Sequence, residues 1–282
     1  MSVTVYVASA FSKNQKGGNK AGVVLMDQPL SAQKKMAIAK ELGYAETAYI
    51  SDSEIADYKI EYFTPKEEVD LCGHATIGSF VILNHLNKLS KGNYTIETNS
   101  GVLNISIKDD MIFMEQNQPE FYDVLALEQL AACFDPEAIA DNLAIQIVST
   151  GLKDILVPIK TAEQLHQLQP NFSEIKTISD DYDVVGMHLY AFNDNRIICR
   201  NFAPRFDIDE EAATGTSNCA LACFLHKNNI LRKETYAFEQ GYALNLPSEI
   251  MVTLGTDVNE TIEKVSVGGK GYYCETKLLE IE

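Results

Sequence analysis

A glutamate, a histidine and a cysteine stand where proton-transfer chemistry would need them. Glu46 lies in YAETAYIS, after an amphipathic run and ahead of an apolar strand. A carboxylate among apolar neighbours has its pKa pushed up, toward what a general acid or base needs near neutrality. His74 follows Gly73 at the start of an apolar helix pattern, where the dipole disfavours imidazolium and favours a neutral ring able to give or take a proton. Cys72 shares that helix start, a position that stabilises thiolates. Each has a plainer reading: an exposed Glu at a helix-to-strand turn, a capping or packed His, an inert thiol.

The histidine belongs to a block that occurs twice. FTPKEEVDLCGHATIGSF (Phe63 to Phe80) and FAPRFDIDEEAATGTSNCALACF (Phe202 to Phe224) each run from an aromatic and a proline through an acidic segment into Gly, Ala and Thr, and then an apolar helix pattern. The first turn of a helix leaves N–H groups without partners and carries partial positive charge, and small residues let an anion approach it. The starts at Gly73 to Thr76 and Thr214 to Ser217 are therefore expected to face one cleft and hold a small carboxylate. Matching Cys72, Gly73, His74, Ala75 and Thr76 to Ala212, Ala213, Thr214, Gly215 and Thr216 sets an alanine opposite the thiol, so a symmetric two-thiol mechanism lacks its second thiol.

The formal net charge of -17 argues against a nucleic-acid or anionic-membrane surface. No apolar run approaches the roughly 20 residues that span a bilayer, and MSVTVYVASAF reads as an alternating strand rather than a signal peptide. The six cysteines show neither CxxC nor Cys/His ligand spacing, so no metal is expected, and a cytoplasmic location with reduced thiols is.

The duplication divides the 282 residues into 1–118, with 271–282 as a strand that crosses back, and 119–270. Strands are expected at Val3 to Ala10, Thr47 to Ser51, Tyr58 to Phe63 and, as a meander, Tyr94 to Gln116. Helices are expected from Ser31, as N-cap, to Leu42, from Gly73 to about Leu89, over about Leu127 to Phe134, and from Thr214 to Lys227.

Six blocks in order, GGNKAGVV, ETAYIS, FTPKEEVDLCGHATIG, STGLKDILVPI, FAPRFDIDEEAATGTS and VSVGG, resemble the phenazine-biosynthesis PhzF-like family across nearly the whole chain. The resemblance implies an α+β, diaminopimelate-epimerase-like fold: two pseudo-symmetric domains, each an antiparallel barrel-like sheet around a central helix, with the site between them. It implies a homodimer and cofactor-independent proton transfer, with Glu46 as proton carrier, His74 and Glu211 as its catalytic partners, Gly73 beside His74 as the family's Gly-His pair and Thr216 in place of the family's Ser; Ala75, Thr76, Gly215 and Ser217 of the two helix starts, with Asn19, complete the expected substrate contacts. The family's usual Asp-Pro is Glu211 and Ala212 here, its Gly-Asn-Pro is Gly18, Asn19 and Lys20, and its Gly-Arg-Pro-Ser is Asn245, Leu246, Pro247 and Ser248. The last change removes a bidentate partner for a carboxylate.

These residues together describe an isomerase that moves a proton within a small carboxylate-bearing metabolite. Two alternatives stand beside it: an epimerase or racemase using Cys72 with a non-thiol partner, and a non-catalytic small-molecule binder.

Overall fold

Between His74 and its closing histidine, the run GHATIGSFVILNH, Gly73–His85, has no charged side chain, so the body of the helix has no face to offer water. It forms a helix whose residues from His74 to Leu83 are all buried. The strands Ser2–Ala10, Asn19–Leu25, Thr47–Ser51 and Tyr272–Glu280 pack against it, because a helix apolar all round is stable only inside a core.

The computed structural model describes residues 2–281. They group into two units, Met1–Glu115 with Gly268–Glu282, and Gln116–Val267. The N-terminal unit runs β1 (Ser2–Ala10), β2 (Asn19–Leu25), α1 (Ala32–Leu42), β3 (Thr47–Ser51), β4 (Tyr58–Phe63), β5 (Glu68–Val69), α2 (Gly73–His85), β6 (Asn93–Thr98), β7 (Gly101–Lys108) and β8 (Met111–Gln116). The C-terminal strand Tyr272–Glu280 returns to pair antiparallel with β1. Most pairings are antiparallel, but β2 with β3 and β4 with β6 are parallel, because α1 and α2 provide the crossovers that parallel neighbours need. Helix α1 has the expected Ser31 cap, whose hydroxyl accepts from the Lys34 N–H, and it ends on Gly43 at φ 71°, three residues before Glu46.

The other unit runs β9 (Glu120–Leu125), β10 (Ile145–Ser149), β11 (Lys153–Pro158), α3 (Ala162–Gln167), α4 (Phe172–Asp181), β12 (Gly186–Asn193), β13 (Arg196–Ala203), β14 (Ile208–Glu211), α5 (Gly215–Lys227), β15 (Thr235–Gln240), β16 (Ser248–Thr256) and β17 (Ile262–Gly269). Its internal topology repeats the first. β11 and β12 pair in parallel across α3 and α4, β12 with β13 and β13 with β14 are antiparallel, and β15 lies parallel to β13 after α5. Helix α5 is buried almost throughout, as α2 is.

Two sequence expectations change. Helices α3 and α4 fall in a stretch with no helix assigned from the sequence. Their signals are an Asn171 side chain that caps Glu174 and the apolar positions Leu165, Leu168, Ile175 and Ile178, which close a core with Leu189 and Phe202. The run after Leu127 is only a 3-10 turn, Leu127–Leu130, rather than a helix to Phe134.

Candidate active site

Glu46 occupies the link between α1 and β3, and His74 is the second residue of α2, whose N-cap is Cys72. The fold brings these three together. His74 Nε2 lies 3.2 Å from Glu46 Oε2, and Cys72 Sγ lies 3.4 Å from His74 Nδ1. The ring is close enough for an ion pair, yet its N–H is not aimed at the carboxylate, and Oε2 is buried with no hydrogen-bond donor.

The charges differ from the sequence expectation for each group. Burial pushes the Glu46 carboxyl up, but the His74 ring and the Cys72 thiol beside it more than offset this and hold it below the usual carboxylate range. Burial opposes a charged His74, yet the Cys72 sulfur and the Glu46 carboxylate raise its pKa well above the usual value. Burial and the Glu46 charge raise Cys72, so the thiol is protonated rather than a helix-stabilised thiolate. The neighbours Cys72 and Glu46, not the helix dipole, thus decide the state of His74.

The start of α2 is fixed from behind. Thr76 Oγ1 donates to the Cys72 carbonyl at 2.7 Å, which leaves Tyr62 as donor in the 2.6 Å bond to Thr76. The Thr76 N–H also goes to the Cys72 carbonyl. Thr76 therefore holds the turn and has no donor left for a ligand. The Ala75 N–H is directed at the Cys72 sulfur, so Gly73 and His74 carry the first-turn N–H groups best placed for an anion. Asn19 begins β2, whose Gly22 pairs with Thr47, so Asn19 and Glu46 lie at the same end of the β2–β3 pair.

Glu211, Gly215, Thr216 and Ser217 lie in the other unit, at the end of β14 and the start of α5. Here the sequence register needs correction by two residues. Cys72 and Thr214 are the two N-caps, with φ and ψ of -142° and 114° against -128° and 112°. Thr76 and Asn218 each bond back to the carbonyl of their own N-cap. The counterpart of Cys72 is therefore Thr214, not Ala212, and that of His74 is Thr216. The glycine that opens each helix, Gly73 and Gly215, sets this register.

A chain of buried side chains fixes this second helix start, and sequence reasoning missed it. Gln240 Nε2 donates to the Glu211 carbonyl and to Thr214 Oγ1, while its Oε1 accepts from the Thr214 N–H and from Asn218 Nδ2. Asn218 Oδ1 accepts from His188 Nε2, and His188 Nδ1 accepts from Asn201 Nδ2. Asn201 Nδ2 also donates to Ser217 Oγ, whose proton goes to Asp154 Oδ2 at 2.7 Å. Both amides thus fix His188 as the neutral Nε2–H tautomer. Burial pushes His188 down to about 4 and pushes Asp154 up to about 6, against the bond from Ser217. The Ser217 hydroxyl is spent inside the protein, which leaves only its backbone for a ligand. The available signal was polar residues, His188 and Asn201, within apolar strand patterns.

Strand alternation separates the adjacent acids of β14. Glu210 takes both Nε and Nη2 of Arg200, at 2.9 and 2.8 Å, while Arg200 Nη1 donates to the carbonyls of Leu165 and Leu168. Glu210 is thereby a structural anchor for α3, and Glu211 is held through its backbone.

Residues 8–277 match the family described as phenazine biosynthesis-like protein, PhzC-PhzF. The chain belongs to that family. It is 32% identical to the uncharacterized isomerase YddE of Escherichia coli over 95% of both chains. It superposes on the crystal structure of a PhzF-family phenazine biosynthesis protein from Bacillus anthracis with a TM-score of 0.91, at 25% identity over the full length of both. A hydroxyproline epimerase from Agrobacterium vitis shares the fold alone, with a TM-score of 0.67 at 9% identity over 99% of this chain and 91% of that one. The PhzF-family chain thus has the α+β, diaminopimelate-epimerase-like fold, its sheets mixed rather than purely antiparallel. Where this family usually reads Gly-Arg-Pro-Ser, Asn245 closes a short turn at φ 56°. Among the described residues no helix is long and apolar enough to cross a membrane.

Proposed function

We propose that this PhzF-family chain is a cofactor-independent isomerase that moves a proton between two carbons of a small carboxylate-bearing metabolite. The observation that carries this reading is the buried Oε2 of Glu46, which has no donor and lies beside a charged His74. An ionised carboxylate with an open lone pair is ready to accept a proton, and the adjacent imidazolium can stabilise negative charge developing on the substrate. In the step envisaged, a substrate C–H bond breaks, its proton passes to Oε2, and the electron pair delocalises into the substrate's unsaturated or carboxylate system. The same carboxyl then returns the proton to another carbon. The helix starts at Gly73 and Gly215, each in its own unit, are suited to a carboxylate. The isomerase names of relatives such as YddE support the reaction class.

Cys72, 3.4 Å from His74, supports a second reading as the acid or base of an epimerase. Its raised pKa keeps the thiol protonated at neutral pH, so little thiolate is present to act as the base, whereas Glu46 is ionised. The test is to incubate the protein in deuterium oxide with a panel of cyclic amino acids and dihydroaromatic acids. Enzyme-dependent deuterium incorporation at carbon supports proton transfer, and binding with no exchange in any member favours a non-catalytic binder. Assembly as a homodimer is part of the same proposal, and sedimentation at micromolar concentration showing only monomer would count against it.

A further inference from the structure

The three groups at the head of α2 have a second capability that neither their proton chemistry nor the fold requires. We propose that Glu46, Cys72 and His74 form a binding site for a single zinc ion, which occupies the site when substrate is absent.

The cluster brings together one sulfur, one imidazole nitrogen and one carboxylate oxygen, all within 4.8 Å of one another, and it is the only such group of three among the described residues. Tetrahedral zinc with bonds of about 2.0 to 2.3 Å sets its ligand atoms about 3.3 to 3.8 Å apart. Nε2 of His74 is 3.2 Å from Glu46 Oε2 and 3.9 Å from Cys72 Sγ, so two edges of that tetrahedron are already near their required length. The buried, donorless Oε2 is the independent sign of a missing partner. A sulfur and a nitrogen beside only one oxygen suit zinc or cobalt rather than magnesium or calcium, which prefer oxygen ligands. The first turn of α2 stabilises a thiolate once the metal has displaced its proton. Three protein ligands leave a fourth position for water, and the Glu46 side chain keeps 16% of its exposure, so an ion can reach the site.

On binding, the Cys72 thiol proton and the ring proton on the coordinating nitrogen pass to solvent, and no electron transfer is involved. Zinc then occupies Oε2. If that oxygen is the proton acceptor proposed above, the ion is an inhibitor; binding itself does not depend on that proposal.

The test uses cobalt chloride with the full-length, reduced protein. We expect a thiolate-to-cobalt charge-transfer band that saturates at one equivalent and is abolished by zinc chloride. Cys72→Ser should remove the band, Cys274→Ser, at the one cysteine that is not buried, should leave it intact, and His74→Ala should weaken cobalt binding at least tenfold, with folding of each variant checked by its thermal transition. No band at stoichiometric cobalt, or a band that survives Cys72→Ser, would overturn the site. The dependent claim separates cleanly: zinc that binds with these properties but leaves deuterium exchange undiminished would retain the metal site and defeat the role assigned to Glu46.

Discussion

His74 Nε2 stands 3.2 Å from Glu46 Oε2 without directing a hydrogen at it. The two groups are near enough to fix each other's charge and loose enough to leave the oxygen open. That combination separates this pair from the closed Arg200–Glu210 fork, where two N–H groups meet two oxygens. The first arrangement can exchange a proton with a third molecule; the second is a structural tie.

The pair makes stability depend on pH in a definite window. The Glu46 pKa is lowered from 4.5, so its contribution is complete above about pH 4.5 and is lost as pH falls through the folded value. The His74 pKa is raised from 6.5, so its contribution is complete below about pH 6.5 and is lost as pH rises through the folded value. Both are present together between these limits. Glu46→Gln should therefore destabilise most near pH 5.5, on the order of 2 kcal/mol, and less in strong acid, as read by urea unfolding across pH.

Asp154 and His188 should oppose each other over nearly the same range. Asp154 is raised from 3.8 to about 6, so its contribution is present below about pH 3.8 and is lost as pH rises to about 6. His188 is lowered from 6.5 to about 4, so its contribution is present above about pH 6.5 and is lost as pH falls to about 4. Asp154→Asn should gain stability relative to the unsubstituted protein as pH rises from about 4 to about 6, by roughly 3 kcal/mol. A difference that stays constant across this range would contradict the assignment.

Gln240 is the tie between β15 and the start of α5. Gln240→Ala removes its bonds to Glu211 and Thr214 together and should cost about 3 kcal/mol. Amide exchange at Thr214 should accelerate, while that of the Thr76 N–H, held in the other unit by Cys72, should not change.

The Arg200–Glu210 tie predicts a non-additive pair. Arg200→Met leaves a buried carboxylate at Glu210, whose side chain is only 7% exposed, and should cost about 3 to 5 kcal/mol. Adding Glu210→Gln should recover part of that loss, which a double-mutant cycle would show.

The Glu46, Cys72 and His74 cluster of the candidate site was legible because its residues sit beside strong punctuation. Glu46 follows a capped helix that ends on Gly43, and His74 follows the glycine that opens α2. Sequence does not carry the state of a group whose partner is distant along the chain. The apolar neighbours of Glu46 point to a raised pKa, whereas His74, which is remote in sequence, does most to hold it low. The same limit hid the route from Gln240 to Asp154, whose members come from five different elements. The slip of two residues between the repeated blocks had a local cause: small residues precede Gly215 as well as follow it, so composition alone did not mark the first turn.

The claim that Glu46 carries the proton is tested most directly by deuterium incorporation from solvent into a substrate found by the panel, compared between two variants. Glu46→Gln keeps the shape but removes the basic oxygen, and exchange should fall about 100-fold to 10,000-fold while binding survives. Cys72→Ala should retain exchange within about tenfold, a barrier change of roughly 1.4 kcal/mol, because the neutral thiol is not the acceptor. Exchange abolished in Cys72→Ala and retained in Glu46→Gln would contradict the account and assign the proton to sulfur.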